Sequence, residues 1–326
     1  MGPMPDASVS SGSKKQPKAR SRVAKPHAAS KVAAPRVRGM PEAPAGVRVE
    51  VGDCRAVLPT IGEVSRGEVD LIFADPPFNW SVPYERWEDT LSQTEYLSFT
   101  YEWLGLCVGG LRAGGALWVN IPDDWAAEIV VDLKGRGMEM VNWCVWHYRF
   151  GQNNRSRFIS SKVHALYFVK PGGERTFNAS AVAEPSDRAL VYGDRRTLVK
   201  RDGMPPGMRV PMDVWYGKYW GRIQGNNKER RSRHHNQLPE VYLERVVRAC
   251  SNEGDVVLDP FLGSGTTGVV AHALGRRFIG VEFSAGNAAS ALERIRRGPM
   301  RALVGSGGEG SAIFPARRRL EIPGRG

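Results

Sequence analysis

The most informative segment for the fold of this chain is Val256-Val-Leu-Asp-Pro-Phe-Leu-Gly-Ser-Gly-Thr-Thr-Gly268. An apolar run ends in an aspartate and a glycine-rich turn, and a helical pattern follows. Glycines let the backbone turn sharply and approach a ligand closely, and the first turn of a helix presents unpaired amides. The stretch therefore predicts a strand, loop and helix that bind a nucleotide-like ligand, with a simple tight turn as the alternative.

The strand predicted at 278–283 ends near Glu282, about where doubly wound folds place an acid that bonds a ribose diol. Gly263, Gly265 and Gly268 also have the spacing of a dinucleotide-binding loop, so a nicotinamide-dependent oxidoreductase is one candidate function. No lysine follows these glycines, which excludes a P-loop.

Short apolar runs alternate with helical patterns along the rest of the chain. Strands are predicted at 47–53, 69–77, 115–122, 140–148, 164–170, 256–263 and 278–283, and helices at 93–108, 123–135, 239–249 and 267–274. This alternation predicts an α/β fold with a doubly wound, mostly parallel sheet that is covered on both faces. The interval 171–232 is rich in Arg, Lys, Gly and Pro and breaks the alternation, so we expect an inserted module there.

A second loop, Asp75-Pro76-Pro77-Phe78, ends the strand predicted at 69–77. Prolines have a fixed φ and no amide to donate, so their carbonyl oxygens are held stiffly at the end of the strand. The Asp75 carboxylate and a proline carbonyl can both accept hydrogen bonds from one amino group, while Phe78 stacks on a flat ring. On its own, the tetrapeptide is better explained as a turn with a half-buried phenylalanine.

Together the two loops resemble the motifs of the amino-DNA methyltransferases, which transfer the methyl group of S-adenosylmethionine to an exocyclic base nitrogen. The Asp75 loop precedes the glycine loop, as in the circularly permuted, beta-type group of that family. The resemblance covers about 47–295, with Phe78 in place of the commoner tyrosine. It implies the S-adenosylmethionine-dependent methyltransferase fold, circularly permuted, with residues 171–232 as the inserted target-recognition segment.

Two further elements of the family have counterparts here. Gly52-Asp53-Cys54 looks like the GDC element, whose aspartate lies near the adenine end of the cofactor. Asp213-Val214-Trp215 and the later run His234-His235-Asn236-Gln237-Leu238-Pro239 are similar to the DVW and HPTQKP elements, with Leu238 where the family has lysine. The resemblance implies that Asn236 and Gln237 bond the methionine carboxylate of the cofactor.

The resemblance thus assigns roles to two groups of residues. It implies that Asp75, Pro76, Pro77 and Phe78 are catalytic, since the loop would address the target amino group. The expected cofactor-binding residues are Asp53, Asn236, Gln237, Asp259, Phe261, Gly263, Ser264, Gly265, Thr266 and Glu282. No covalent enzyme–base intermediate is needed, so none of the four cysteines has to act as a nucleophile.

DNA contacts are expected from two stretches rich in basic, amide and aromatic side chains. Arginines bond phosphates, and Arg and Asn also bond the base edges of guanine and adenine. Phe158 could fill the gap that a flipped base leaves in the duplex. For each residue a solvated surface position is the alternative. The candidates are Arg155, Arg157, Tyr219, Arg222, Asn226, Asn227 and Arg230.

The composition indicates a soluble protein with a polyanionic partner. The 326 residues include 46 Lys and Arg against 34 acids, a net charge of +12, which favours nucleic acid. The four cysteines are scattered, which argues against disulfides and a structural metal and fits a cytoplasmic protein. No apolar run is long enough for a membrane span, and the N-terminus has no secretory signal pattern.

Five segments are expected from these patterns. Residues 1–45 and 297–326 have few large apolar side chains and cannot offset the entropy of ordering, so they are predicted to be a disordered basic tail and a flexible Gly/Arg-rich tail. Between them lie the catalytic half (46–170), the target-recognition insert (171–232) and the cofactor-binding half (233–296) of a methyltransferase domain.

The resulting hypothesis is a site-specific methyltransferase of double-stranded DNA that uses S-adenosylmethionine. Adenine N6 is the expected target, because family members that act on cytosine N4 more often begin the tetrapeptide with Ser or Thr. A cognate restriction endonuclease is a possible partner. Cytosine N4 methylation, nicotinamide-dependent oxidation and non-catalytic DNA binding are the alternatives; the last two leave one or both loops without a role.

Deleting residues 1–45 should weaken DNA binding without changing sequence preference, because phosphate contacts carry no base information. The segment holds nine bases against two acids. Each phosphate contact steepens the slope of log affinity against log salt by roughly 0.9, and we expect a change of about three to five. Salt-dependent binding of the full chain and of the shortened chain measures this change. Superimposable slopes would contradict a role for the segment in binding.

Overall fold

The computed structural model describes most of the chain between its two terminal segments. Most of the predicted tails, residues 1–39 and 304–326, and the predicted DNA contact Asn226 lie outside the described residues. The described residues are 40–82, 87, 89–148, 151, 153–199, 203–217, 219–225, 227–231 and 236–303.

The strands and helices follow the predicted alternation. The strands are β1 (Val47–Val51), β2 (Val69–Ala74), β3 (Leu111–Ile121), β4 (Glu139–His147), β5 (Lys162–Val169), β6 (Glu184–Pro185), β7 (Met208–Arg209), β8 (Val214–Trp215), β9 (Val256–Asp259) and β10 (Arg277–Glu282). The helices are α1 (Cys54–Val57), α2 (Gly62–Ser65), α3 (Gln93–Gly110), α4 (Asp123–Gly135), α5 (Asp187–Leu190), α6 (Glu240–Cys250), α7 (Thr266–Ala273) and α8 (Ala285–Arg297). No helix within the described ranges has both the length and the apolarity to cross a bilayer.

Eight strands form one mixed, mostly parallel sheet in the order β1-β10-β9-β2-β3-β5-β4-β8. This confirms the predicted α/β architecture. The neighbours from β1 through to β3 are parallel, whereas β5 is antiparallel to both β3 and β4. β4 and β5 follow one another in the chain and pair along their whole length, from Glu139 opposite Val169 to His147 opposite Lys162.

Strand β2 lies next to β9, which joins two distant parts of the chain. Leu71 and Ile72 pair with Val257 and Leu258. The carboxylate of Asp70 accepts a hydrogen bond of 2.8 Å from the amide of Val256 at the start of β9. The carboxyl ends of these parallel strands therefore open side by side, with the Asp75 loop after one and the glycine loop after the other.

Some boundaries differ from the sequence-based predictions. β9 ends at Asp259 rather than at residue 263, because Pro260 cannot donate to a ladder and Gly263 has a φ of +49°. α8 was not predicted, although its buried face includes Leu292 and Ile295. The short helices α1 and α2 were also missed, because four residues give too little periodicity to recognise.

The interval 171–232 is only partly a separate module. β6 and β7 form a two-stranded sheet of their own, but β8 pairs with β4 at the edge of the main sheet. Trp215 and Trp220 are buried in the main core. The interval therefore contributes to the wall of the main domain, and its predicted limits remain a prediction.

Candidate active site

A cavity of about 190 Å³ opens at the carboxyl ends of β2, β9 and β10. Ligands of doubly wound folds bind in the crevice at this edge of the sheet. The cavity brings together residues that are far apart in the sequence. Its lining includes thirteen of the fourteen predicted catalytic and cofactor residues: Asp53, Asp75, Pro76, Pro77, Phe78, Asn236, Gln237, Asp259, Phe261, Gly263, Ser264, Thr266 and Glu282.

Gly265, the remaining predicted cofactor residue, has a packing role in the structure. It caps the N-terminus of α7 with a φ of +78°, a conformation that side-chain-bearing residues rarely adopt. A Cβ atom at this position would lie 2.9 Å from Cβ of Ala291 on α8. The glycine is therefore needed for close packing of α7 and α8 rather than to line the cavity.

The Glu282 carboxylate fastens the glycine loop to the end of β10. One of its oxygens accepts the amide of Gly263 at 2.8 Å, and the other accepts the amide of Ser284 at 3.0 Å. The side-chain amide of Asn287 on α8 also donates to Glu282, at 3.4 Å, and both residues line the cavity.

Asp53 follows β1, the strand that pairs with β10, at the same edge of the sheet. Its carboxylate caps α1 and bonds the guanidinium of Arg55 at 2.7 Å. Partial burial raises the pKa of Asp53, but the hydrogen bonds and charge of Arg55 outweigh this effect and hold the pKa below its usual value. Asp53 therefore presents a stable negative charge to the cavity.

The residues before α6 have partners of their own. Gln237 accepts the amide of Arg231 at 3.0 Å and donates to the carbonyl of Glu229 at 2.6 Å, so it secures the preceding loop. Its amide nitrogen carries a second hydrogen, and the residue also lines the cavity, so the contact expected with the methionine carboxylate stays a prediction. The carbonyl oxygen of Asn236 accepts a hydrogen bond of 2.7 Å from Arg222.

The Asp75 loop is held by hydrogen bonds to its later carbonyls. The hydroxyl of Tyr96 on α3 donates to the carbonyl of Pro77 at 2.7 Å, and the indole of Trp125 on α4 donates to that of Phe78 at 2.9 Å. Within the described part of the chain, no hydrogen bond to the Pro76 carbonyl is found. The structure therefore leaves the Pro76 carbonyl available to a ligand.

Asp75 is half-buried and lies close to a buried carboxyl group, that of Asp259. Burial raises the pKa of Asp75 to about 7, a hydrogen bond of 2.7 Å from Asn120 opposes the rise, and the charge of Asp259 adds to it. Burial also raises the pKa of Asp259 to about 7, against hydrogen bonds from Thr267 and Phe261. Such perturbed carboxyl groups in a cleft are typical of functional sites.

The backbone after Phe78 is organised by Asp89, which the sequence reasoning missed. Its carboxylate accepts hydrogen bonds of 2.9 to 3.0 Å from the backbone amides of Asn79, Trp80 and Val82. Asn79 has a φ of +60°, a conformation that asparagine tolerates better than most residues. Asp89 is 2% exposed and so fixes the direction in which the chain leaves the site.

Arg222 is the predicted DNA contact that comes closest to the catalytic loop. Its guanidinium lies 5.2 Å from the ring centre of Tyr148, and its positive charge lowers the pKa of Asp75. Asn227 and Arg230 instead make local hydrogen bonds, to the Glu229 amide at 2.9 Å and to the Gly225 carbonyl at 3.2 Å.

Arg155 and Arg157 lie exposed in the loop between β4 and β5, together with Phe158, which is 99% exposed. The loop closes through a hydrogen bond of 2.9 Å from the Tyr148 amide to the Ser161 carbonyl. Ile121, at the carboxyl end of β3, pairs with His164 near the start of β5. The loop therefore leaves the sheet at the same edge as Asp75. Tyr219 is half exposed beyond β8.

Comparison with known proteins places the chain in a family. The family model described as DNA methylase (N6_N4_Mtase) matches residues 69–293. The type II methyltransferase M.BamHI of Bacillus amyloliquefaciens is 34% identical over 75% of this chain, which spans 56% of that protein. The DNA adenine methyltransferase YhdJ of Escherichia coli is 31% identical over 75% of this chain and 81% of its own length.

A solved structure agrees with this assignment. The putative DNA modification methylase TTHA0409 of Thermus thermophilus, complexed with S-adenosyl-L-methionine, superposes with a TM-score of 0.52 and 25% identity over 77% of this chain and 93% of that one. The family match covers both loops that line the cavity, and the curated relatives cover three quarters of the chain. The chain therefore belongs to the DNA methylase family.

Proposed function

We propose that this chain transfers the methyl group of S-adenosylmethionine to an exocyclic amino group in double-stranded DNA, with adenine N6 as the acceptor. The observation that carries the proposal is the meeting of the glycine loop and the Asp75 loop in one cavity. Family membership supports methylation of DNA, and the adenine methyltransferase YhdJ supports the choice of base. The roles of the individual residues rest on their geometry.

The cavity residues suit S-adenosylmethionine, which supplies an electrophilic methyl group on a sulfonium. Glu282, which lines the cavity at the carboxyl end of β10, would accept the ribose hydroxyls, as the acid at this position does in doubly wound folds. Asp53 would lie near the adenine end, and Asn236, which is oriented by Arg222, near the methionine carboxylate. The S-adenosylmethionine complex of TTHA0409 supports this choice of cofactor.

The catalytic loop would prepare a poor nucleophile. The lone pair of an aromatic amine is delocalised into its ring, and hydrogen bonds from its two hydrogens to Asp75 and to the Pro76 carbonyl favour a pyramidal nitrogen. The nitrogen–methyl bond forms as the methyl–sulfur bond breaks, and the nitrogen then loses one proton. Asp75 would take that proton, and its pKa of about 7 supports this role because such a value suits proton transfer at neutral pH.

Phe78 would hold the extruded base by stacking, a contact worth roughly 1–3 kcal/mol. Its ring is nearly buried and packs edge-on against Trp80, with ring centres 5.2 Å apart. Most of the rate would come from holding the two reactants in line. We propose that Arg155, Arg157 and Phe158 face the duplex around this opening, because their loop leaves the same edge of the sheet as Asp75.

We further propose a restriction endonuclease with the same recognition sequence as the biological partner, and the cytoplasm as the compartment. The similarity to a type II methyltransferase supports the partner. Long-read sequencing of DNA from a host that expresses the chain tests the function directly. N6-methyladenine at one sequence context supports the proposal, N4-methylcytosine corrects the base, and the absence of any modification contradicts the function.

Asp75→Asn should reduce single-turnover methyl transfer by at least about a hundredfold, because the variant cannot take the proton. Binding of S-adenosylhomocysteine by calorimetry should stay within a few-fold. Glu68→Gln, just before the same strand, alters an exposed carboxylate and is the control that should retain transfer. Turnover of Asp75→Asn at the wild-type rate would remove Asp75 from the mechanism.

The same variant should be more stable than the wild type above neutral pH. The folded-state pKa of Asp75 is raised from 3.8 to about 7, so the folded state binds more protons than the unfolded state between these values. The wild-type protein therefore loses stability as the pH rises through this window. The Asp75→Asn variant has no group to ionise at this position and does not show this loss. We expect a melting temperature a few degrees higher at pH 8, with a smaller gain near pH 5.

Glu282→Gln should weaken cofactor binding, measured by calorimetry, by the roughly 1.5–3 kcal/mol of a hydrogen bond to a charged group. The amide keeps the size of the side chain but has only one oxygen for the Gly263 and Ser284 amides and the ribose hydroxyls. Glu293→Gln removes an exposed carboxylate on α8 and should leave the affinity unchanged. Equal affinities for the two variants would remove Glu282 from the cofactor site.

Phe158→Ala should slow transfer to fully paired DNA by roughly ten- to hundredfold, because the variant loses a stacking contact in the gap left by the target base. DNA in which the target base is already mispaired should be methylated at nearly the wild-type rate. Val131→Ala, which shortens an exposed side chain on α4, is the control. A defect of equal size on both DNAs would contradict a role in base extrusion.

A further inference from the structure

The side-chain amide of Asn120 lies between the carboxylate of Asp75 and the hydroxyl of Tyr242. Its nitrogen Nδ2 donates to Oδ1 of Asp75 at 2.7 Å, and its oxygen Oδ1 accepts from the Tyr242 hydroxyl at 3.2 Å. Asn120 is 1% exposed and Tyr242 is fully buried. An asparagine amide has a donor end and an acceptor end, and here each end has a defined partner.

Three packed elements hold this arrangement. Asn120 lies near the carboxyl end of β3, next to the strand that leads into Asp75, and pairs with Ala165 of β5. Tyr242 lies on α6, in the turn that follows the cofactor segment at 236–239. Its ring makes edge or tilted contacts, with ring centres 5.3 to 6.2 Å apart, with Phe73, Trp146, Trp215 and Trp220. The hydroxyl therefore has little freedom to move away from Asn120.

The groups around Asp75 have opposing effects on its charge. The carboxyl group of Asp259, at the end of β9, disfavours ionisation of Asp75, and the guanidinium of Arg222 favours it. Asn120 on β3 favours ionisation through its hydrogen bond, and Tyr242 on α6 donates to the other end of Asn120. Burial and the nearby charge of Asp75 raise the pKa of the Tyr242 hydroxyl, so it stays protonated as a donor. Among the described residues, the side chain that donates a hydrogen bond to the Asp75 carboxylate is that of Asn120.

The direction of the Asn120 amide decides which form of Asp75 it stabilises. With Nδ2 toward the carboxylate, the amide favours the ionised form. A reversed amide would place its oxygen against a carboxylate oxygen, an arrangement that is stable only when Asp75 is protonated and donates. Because the bond to Asn120 uses Oδ1, it also fixes the rotation of the carboxylate and directs Oδ2 elsewhere.

We propose that Asn120, oriented by the hydroxyl of Tyr242, is a positioning residue that keeps Asp75 ionised and turned so that Oδ2 accepts a hydrogen from the target amino group. The proposal deepens the function proposed above and rests on it for the identity of the amino group. Asn120 touches neither reactant and acts only through Asp75. The interaction between Asn120 and Asp75 can be tested with or without methyl transfer.

The first test is the pH dependence of single-turnover transfer at saturating DNA and cofactor. The wild-type rate should rise to a plateau as Asp75 ionises. In Asn120→Ala the midpoint should move up by about one to two pH units, and the rate should recover at high pH. Tyr242→Phe should shift the midpoint the same way by less. Tyr167→Phe, which removes another hydroxyl from the same aromatic core, should leave it unchanged.

The second test needs no activity. The folded-state pKa of Asp75 lies above its unfolded-state value. Ionisation of Asp75 should therefore lower the melting temperature as the pH rises toward 8. Asn120→Ala should enlarge this fall, since it raises the folded-state pKa further. In an Asp75→Asn background, the same substitution should leave the pH dependence unaltered. This cycle isolates the Asn120–Asp75 interaction from cavity effects.

The outcomes separate the two proposals. A lower plateau with an unmoved midpoint, or an equal pH dependence of melting in both backgrounds, would overturn the role of Asn120 and leave the methyltransferase function intact. Shifted melting profiles in a chain that methylates no DNA would overturn the proposed function and leave the Asn120–Asp75 interaction intact. If Asn120→Ala does not fold, Tyr242→Phe decides the question, because it removes a single oxygen atom.

Discussion

The pairing of β2 with β9 is the constraint on which the site depends. It joins segments that lie on either side of the interval 171–232, and it places the Asp75 loop beside the glycine loop. Parallel strands present their carboxyl ends at one edge, so two loops from adjacent strands necessarily face one ligand space. Asp70 strengthens this pairing, because it bonds both the Val256 amide and the guanidinium of Arg112.

The same adjacency has an electrostatic cost. Asp75 and Asp259 end neighbouring strands inside the domain, where burial disfavours their ionised forms. A carboxyl group that titrates near neutrality can accept a proton from a reacting amine, which a normal aspartate does poorly. Under the proposed function, this pair of acids would be kept for the reaction although burial makes it destabilising, as is common in active sites at the expense of fold stability.

The features that are local in sequence were predictable. Both loops, the main strands and α3, α4, α6 and α7 follow from turn residues and periodicity, and so does the mostly parallel sheet. The hydrogen bonds that link Tyr242, Asn120 and Asp75 were not predictable. Asn120 lies in an apolar strand and Tyr242 in an amphipathic helix, and neither sequence pattern indicates that the two side chains are in contact. The local hydrogen bonds of Gln237 and the packing of Gly265 against Ala291 were likewise not predictable, because their partners are set by tertiary structure.

The aromatic cluster around Tyr242 has a consequence for how such a protein could change its target in evolution. Trp215 and Trp220 belong to the interval 171–232, yet their rings pack against Tyr242, while Tyr216 and Tyr219 between them are exposed. Under the proposed function the interval is therefore not an exchangeable cassette. Recombination that replaced it whole would remove the aromatic contacts of Tyr242 behind Asp75, so new specificities would have to arise on its outward-facing side chains.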